Sequence, residues 1–198
     1  IFLPMKNEIT RLEEKLNRVV LEIERYREVS LLIIESDSTD GTAERCELIL
    51  GNSSLEEGRW KVLRIEEPGK SRAVNLALEQ ITDDIVIMMD TDTITRDWLR
   101  KIWSIMSNQE IAVVSGVEST GKSKNARQNY RKTSNLIRKA ESLSGSTPVV
   151  EGGLIAWRTK VFSDYKLNQK ANADDAQIAI EGIRRGYRSI VTESLKFE

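Results

Sequence analysis

Residues 84–94 read DIVIMMDTDTI: five consecutive apolar residues, Ile85 to Met89, run straight into Asp90 and Asp92. An apolar run of this length fits a strand buried on both faces, the kind found in parallel sheets covered by helices. Its ending is the unusual part. In an extended chain the side chains at i and i+2 share one side, so Asp90 and Asp92 are expected to aim together, with Thr91 facing away. Two like charges so placed repel unless a cation sits between them.

The same alternation of strand and helix extends to both sides of this stretch. IFLP (1–4), SLLIIE (30–35), WKVLRIE (60–66) and IAVVSG (111–116) read as further strands. Between them, Ile9, Leu12, Leu16, Val19, Ile23 and Tyr26 recur at three- and four-residue spacing, the mark of an amphipathic helix. AERCELIL, SRAVNLALEQI and TRDWLRKIWSIM are also helical, the last with Thr95 as its expected cap. Strands alternating with helices predict an α/β fold, a mostly parallel, doubly wound sheet with helices on both faces. After residue 116 the pattern loosens. NARQNYRKTSNLIRKAESL is a long helix with Tyr130, Leu136, Ile137, Ala140 and Leu143 as its apolar side. VVEGGLIAWRTKVF is a strand with a Gly152-Gly153 break, and DDAQIAIEGIRRG is a helix whose expected apolar face is Ala176, Ala179, Ile180 and Ile183. One domain, 1–198, is expected, with halves 1–116 and 117–198.

Composition removes several chemistries. The chain has no histidine, which excludes Ser-His-Asp and Cys-His mechanisms and every zinc site that needs histidine. Its one cysteine, Cys46, lies in a helical pattern and reads as a core thiol; no internal disulfide can form. A net charge of −1 gives no basic field for nucleic acid. Carboxylates and a hard cation are left as the leading candidates. No stretch reaches the roughly 18 apolar residues of a membrane span, and there is no signal peptide. A cytoplasmic location is expected, at the cytoplasmic face of a membrane as a peripheral protein if the acceptor is lipid-linked. The chain starts at Ile1 without Met and stops just after a strand-like run, so it is expected to be part of a longer protein.

Ligands of open parallel sheets bind beyond the carboxyl ends of the strands. Those ends carry Pro4, Lys6, Asn7 and Glu8, then Glu35, Ser36, Asp37 and Asp40, then Gly69, Lys70 and Arg72, then Asp90 and Asp92. Carboxylates and a few cations at one rim suit a metal–diphosphate site, because Mg²⁺ takes one or two protein carboxylates and fills its shell with phosphate and water. Gly69-Lys70-Ser71 is not a phosphate loop: the required glycine five residues earlier is Arg64. No G-x-G-x-x-G is present.

Taken in order, the segments resemble the family 2 glycosyltransferases of the GT-A fold. LPMKNE is similar to that family's "IPTYNE", IIESDSTDGT to "VDDGSTDGT", and PGKSRAVNLAL to "GKAAALNLGL". MMDTD resembles its D-x-D segment, GGLIAWRTKVF its "GAFGAFRREVL", and ADDAQIAIEGIRRGYRSI its "GEDVDLALRLRRAGYRV". The resemblance implies metal-dependent inverting transfer of a sugar from a UDP- or GDP-sugar to a carbohydrate or lipid-linked acceptor, with Mg²⁺ or Mn²⁺. It places Pro4, Asn7, Glu35, Asp37, Lys70, Asp90 and Thr91 on the nucleotide-sugar. Asp92, with Asp90, would hold the metal, and Asp175, beside Asp174, would be the catalytic base. Gly152 and Gly153 would border the acceptor, together with the polar loop 164–174 as a mobile lid. Trp157 has two readings, a platform for the acceptor sugar or a core residue of an apolar strand, and the strand favours the core.

Departures are visible. The family's Tyr is replaced by Met5-Lys6, its second acid after the second strand is Ser36, and no Q-x-x-R-W follows. These leave donor identity and processivity open. Two other functions remain: a nucleotidyltransferase, which generally needs a Gly-rich loop where PMKNE stands, and a non-catalytic nucleotide-sugar-binding domain.

Overall fold

The computed structural model describes residues 1–93, 95–119, 126–171 and 173–197. Seven strands form one sheet in the order β3-β2-β1-β4-β6-β5-β7. They are β1 (Phe2–Met5), β2 (Leu31–Ser36), β3 (Trp60–Ile65), β4 (Ile85–Met89), β5 (Ile111–Glu118), β6 (Leu154–Arg158) and β7 (Arg188–Phe197). Only β6 runs antiparallel to its neighbours β4 and β5; the other pairs are parallel. Helices α1 (Ile9–Ile23), α2 (Thr42–Gly51), α3 (Lys70–Gln80), α4 (Trp98–Met106), α5 (Ala126–Ser144) and α6 (Asp174–Arg184) connect them.

The opening stretch explains the two-sided cover. Ile87 and Met89 of β4 enter one core with Leu12 and Leu16 of α1 and Leu99 and Ile102 of α4. Val86 and Met88 point the other way, into a core with Val74 and Ala77 of α3 and Ile178 and Ala179 of α6. A strand sandwiched like this has no polar face, so alternation is absent from its sequence.

Local readings needed correction in four places. The chain after β4 is not extended: Thr93 N–H donates to Asp90 O at 3.1 Å, closing a turn over 90–93. Thr95 does not cap α4, because its hydroxyl donates to Lys196 O at 2.9 Å. In α6 the buried residues are Ile178, Ala179, Glu181 and Gly182, whereas Ile180 is 52% exposed. Gly182 lets the helix sit close to β5: a Cβ there would lie 3.2 Å from Val113 Cγ2. The long helix α5 turns its apolar side outward, with Tyr130, Leu136, Ile137 and Leu143 all exposed.

Cys46 is fully buried, and burial pushes its thiol up to about 12, so it is an inert core residue. No helix among the described residues is long and apolar enough to cross a membrane.

Candidate active site

Four segments meet at the carboxyl rim of β1, β2 and β4 around a cleft of about 560 Å³. Pro4 and Lys6 follow β1, Ser36 ends β2, Gly69 and Lys70 open α3, and Asp90, Thr91 and Asp92 leave β4. A parallel sheet delivers all of these ends to one edge, which is why residues far apart in sequence become neighbours.

Lys70 organises the floor. Its Nζ lies 2.7 Å from Asp90 Oδ1 and 3.9 Å from Asp174 Oδ2. Burial alone would lower the Lys70 pKa, but the carboxylates of Asp90, Asp174 and Asp175 outweigh it and hold the ammonium above its ordinary value. Asp174 Oδ2 is buried and has no hydrogen-bond partner among the described residues. Burial, with Asp174 adding to it, pushes the Asp175 carboxyl above the usual range, although its Oδ1 accepts from Ala176 N–H at 2.8 Å. Gly152 lies against this group: a Cβ there would be 3.2 Å from Asp175 Oδ2 and 3.5 Å from Lys70 Nζ.

The turn carrying Asp90 and Asp92 is tied at three points. Asp90 N–H donates to Gly153 O at 3.1 Å, and Thr93 Oγ1 donates to the same oxygen at 2.7 Å. Beneath it, the buried Lys15 of α1 donates to Thr93 O at 2.7 Å, and burial lowers its pKa to about 8 despite the attraction of Asp90 and Asp92. Asp92 is exposed and faces Arg11 at 3.7 Å.

The residues fit a divalent cation in one specific way. Among the described residues no group of three or more acids or cysteines is arranged to hold a metal ion by itself. Asp90 and Asp92 offer two carboxylates, each with a cation beside it, and Mg²⁺ or Mn²⁺ would need phosphate oxygens to complete its shell.

Of the residues expected in the site, Pro4, Lys70, Asp90, Thr91 and Asp92 line the cleft, and Gly152, Asp174 and Asp175 adjoin Lys70. Glu35 does not line it. It is 3% exposed, on the α1–α2 side of the sheet, with Oε1 accepting from Ser38 N–H at 2.6 Å. Strand alternation gives the cleft to the next residue, Ser36. Asn7 and Asp37 also stand outside the lining; both adopt positive φ, and Asn7 Oδ1 accepts from Thr39 N–H at 2.9 Å to fasten the loop after β2 to the start of α1. Gly153 has a packing reason: a Cβ there would lie 2.6 Å from Phe197 Cε2. Trp157 is fully buried, so the stacking reading is corrected to the core one.

The loop 164–174, of which Asn172 lies outside the described residues, is anchored rather than unpatterned. Leu167 is buried, and Asn75 of α3 both accepts from its N–H (2.7 Å) and donates to its carbonyl (3.1 Å). Arg11, Lys15 and Pro68 were not singled out from the sequence; a lysine or arginine on an amphipathic helix looks like any solvated position.

A family model described as glycosyl transferase family 2 matches residues 1–166. The chain belongs to glycosyltransferase family 2. Its fold is the GT-A fold of that family's solved structures. A mannosyltransferase from Pyrobaculum calidifontis, solved with GDP-mannose and Mn²⁺, superposes with a TM-score of 0.86 at 26% identity, covering 99% of this chain and 55% of that one. TarS from S. aureus in complex with UDP gives 0.73 at 17% identity, over 99% of this chain and 59% of that one. Glucosyl-3-phosphoglycerate synthase from Mycobacterium tuberculosis, solved with Mn²⁺, UDP and glucosyl-3-phosphoglycerate, gives 0.64 at 20%, over 96% and 67%. This family 2 chain thus spans little more than half the length of the mannosyltransferase. A comparison with curated proteins gave no match.

Proposed function

We propose that the chain transfers a sugar from a nucleoside-diphosphate-sugar to an acceptor hydroxyl or lipid phosphate, with inversion, aided by a divalent ion. The observation that carries this reading is the meeting of Lys70 with Asp90 on one side and with Asp174 and Gly152 beside Asp175 on the other. In this reading a diphosphate-binding end and a candidate base stand on either side of one lysine.

Asp90 and Asp92 would hold the ion together with the donor's phosphates, and the ion would neutralise charge on the departing diphosphate. Pro4, Ser36 and Thr91 would border the nucleotide, and Lys70 would exchange part of its contact with Asp90 for a phosphate oxygen. On the acceptor side, Asp175 accepts the proton of the hydroxyl as its oxygen bonds to the sugar carbon. The bond from that carbon to the phosphate oxygen breaks, and its electron pair leaves with the diphosphate. Attack from the face opposite the leaving group inverts the configuration. The raised Asp175 pKa makes it a stronger base than an exposed aspartate.

GDP-mannose in the Pyrobaculum mannosyltransferase makes a GDP-sugar the first donor to test, with UDP-sugars second. Thermal shift with GDP and UDP, each with Mn²⁺, Mg²⁺ or EDTA, is the experiment. A metal-dependent rise with one nucleotide supports the reading; no rise with any combination opposes it. Release of the nucleoside diphosphate from the matching donor then separates an enzyme from a binding domain.

A further inference from the structure

Thr93 closes the turn that carries Asp90 and Asp92, and three separate elements hold it. Its N–H donates to Asp90 O at 3.1 Å, its hydroxyl donates to Gly153 O at 2.7 Å, and its carbonyl accepts from Lys15 Nζ at 2.7 Å. Thr93 is buried, and each of its polar groups is engaged in fixing it. The third partner is the unexpected one. Lys15 lies three residues after Leu12 and four before Val19, on the stripe of α1 that packs into the core, and is only 4% exposed. A leucine or methionine would satisfy that stripe at no electrostatic cost. An ammonium there is desolvated, and among the described residues no carboxylate pairs with it directly; Asp90 and Asp92 attract it from further away. A charge kept in such a place calls for a reason beyond packing.

We propose that Lys15 is a positioning residue for the divalent ion: it holds the carbonyl of Thr93 and so sets where Asp92 stands relative to Asp90. The proposal rests on the reading of that pair as the ion's two carboxylates. Lys15 does not line the nucleotide cleft; with Thr93 it lines a separate hollow of about 250 Å³ between α1 and the start of α4. Its action on the ion is therefore through the turn. Asp90 is fixed by its own N–H on Gly153 O and by Lys70 on its carboxylate. Asp92 is exposed, with Arg11 at 3.7 Å as its ion-pair partner, so its place depends on the backbone on either side of it. The positive charge serves the same end. Set beneath two carboxylates, it offsets their mutual repulsion while no ion is bound. A neutral donor would hold the carbonyl and leave that repulsion in place.

The test reads ion binding and turn order rather than turnover. Free Mn²⁺ is followed by electron paramagnetic resonance with saturating GDP or UDP, for wild type, Lys15→Met and Lys15→Arg. Methionine suits the apolar stripe, so the fold should persist. The Mn²⁺ dissociation constant of Lys15→Met is expected to rise about 10- to 100-fold, the usual effect of removing a group that orients a metal ligand. Lys15→Arg keeps a cationic donor and should recover most of that loss. Without metal, amide exchange at Asp90 and Thr93 should quicken in Lys15→Met, while Ile87 and Met89 in β4 keep wild-type protection. An unchanged Mn²⁺ constant in Lys15→Met overturns the proposal. So does a lower melting temperature with normal ion binding, which would make Lys15 a structural tie alone, and failure of both variants to fold has the same meaning. If wild type itself binds no Mn²⁺ with either nucleotide, the reading of Asp90 and Asp92 fails first and the role of Lys15 falls with it.

Discussion

Lys70 Nζ sits 2.7 Å from Asp90 Oδ1 and so neutralises, within the chain itself, one of the two acids that would receive a metal ion. Both groups are about one-third exposed, so the pair adds little to stability. Its consequence is for binding: Lys70→Ala removes a charge-assisted contact worth ~1.5–3 kcal/mol to a phosphate oxygen. Nucleoside diphosphate affinity by calorimetry is expected to fall about 10- to 100-fold, with the melting temperature nearly unchanged.

Metal and nucleotide should bind together. With only Asp90 and Asp92 available, either ligand alone binds weakly, and each completes the site for the other. A nucleotide at about 100 times its dissociation constant stabilises by ~2.7 kcal/mol. In EDTA most of that is expected to vanish, and in Asp92→Asn the nucleotide shift should no longer respond to Mn²⁺. An EDTA-insensitive shift would remove the metal role from this pair.

Asp175→Asn separates a base from a helix-terminal partner. Loss of a general base lowers turnover about 100- to 10,000-fold while donor affinity stays near wild type. Because burial raises the Asp175 pKa, the folded state holds its proton more tightly than the unfolded chain. Stability from this group is therefore fully present below the unfolded value and is lost as pH rises through the folded value, above which the buried ionised form is a cost. The asparagine variant is expected to melt at or slightly above wild type, and wild-type turnover should fall as pH drops through that raised pKa. A phosphate acceptor is already anionic and needs no base, so a small effect of Asp175→Asn with a lipid phosphate but not with a hydroxyl would identify the acceptor class. Should Asp174→Asn abolish turnover instead, the base is the neighbouring acid.

Ser36, and not Glu35, lines the cleft at the end of β2. Glu35→Ala is expected to destabilise by ~1–3 kcal/mol, because Ser38 N–H loses its buried acceptor. Replacing Ser36 with a bulky residue such as Leu should instead weaken nucleotide binding. Chemical denaturation and calorimetry on the two variants read both effects; a nucleotide defect confined to Glu35→Ala would reverse the assignment.

Trp157 tests the core reading. Trp157→Ala should cost ~3–5 kcal/mol. Trp157→Phe should be much milder, since the buried indole Nε1–H has no hydrogen-bond partner to lose among the described residues. An acceptor platform would show the opposite pattern, normal melting with a raised acceptor KM.

What the sequence by itself determined is local and periodic. The apolar run Ile85–Met89, the heptad-like spacing of Leu12, Leu16, Val19 and Ile23, and the alternation of such units were enough for a doubly wound α/β sheet. They also placed Lys70 and Asp90 at its carboxyl rim, because these signals depend on neighbours a few residues away; Asp175 came only from the family resemblance. Tertiary structure alone decided which way a side chain faces once two choices were equally good locally. Glu35 and Ser36 are adjacent polar residues at one strand end, and only the sheet's orientation gives the cleft to Ser36. The turn at 90–93 closes because Gly153 O, 60 residues from Thr93, accepts two of its hydrogen bonds. The helix α5 is amphipathic in either orientation; Glu118, Glu151 and Glu193 on the body of the protein claim its cations and turn its apolar stripe to the outside.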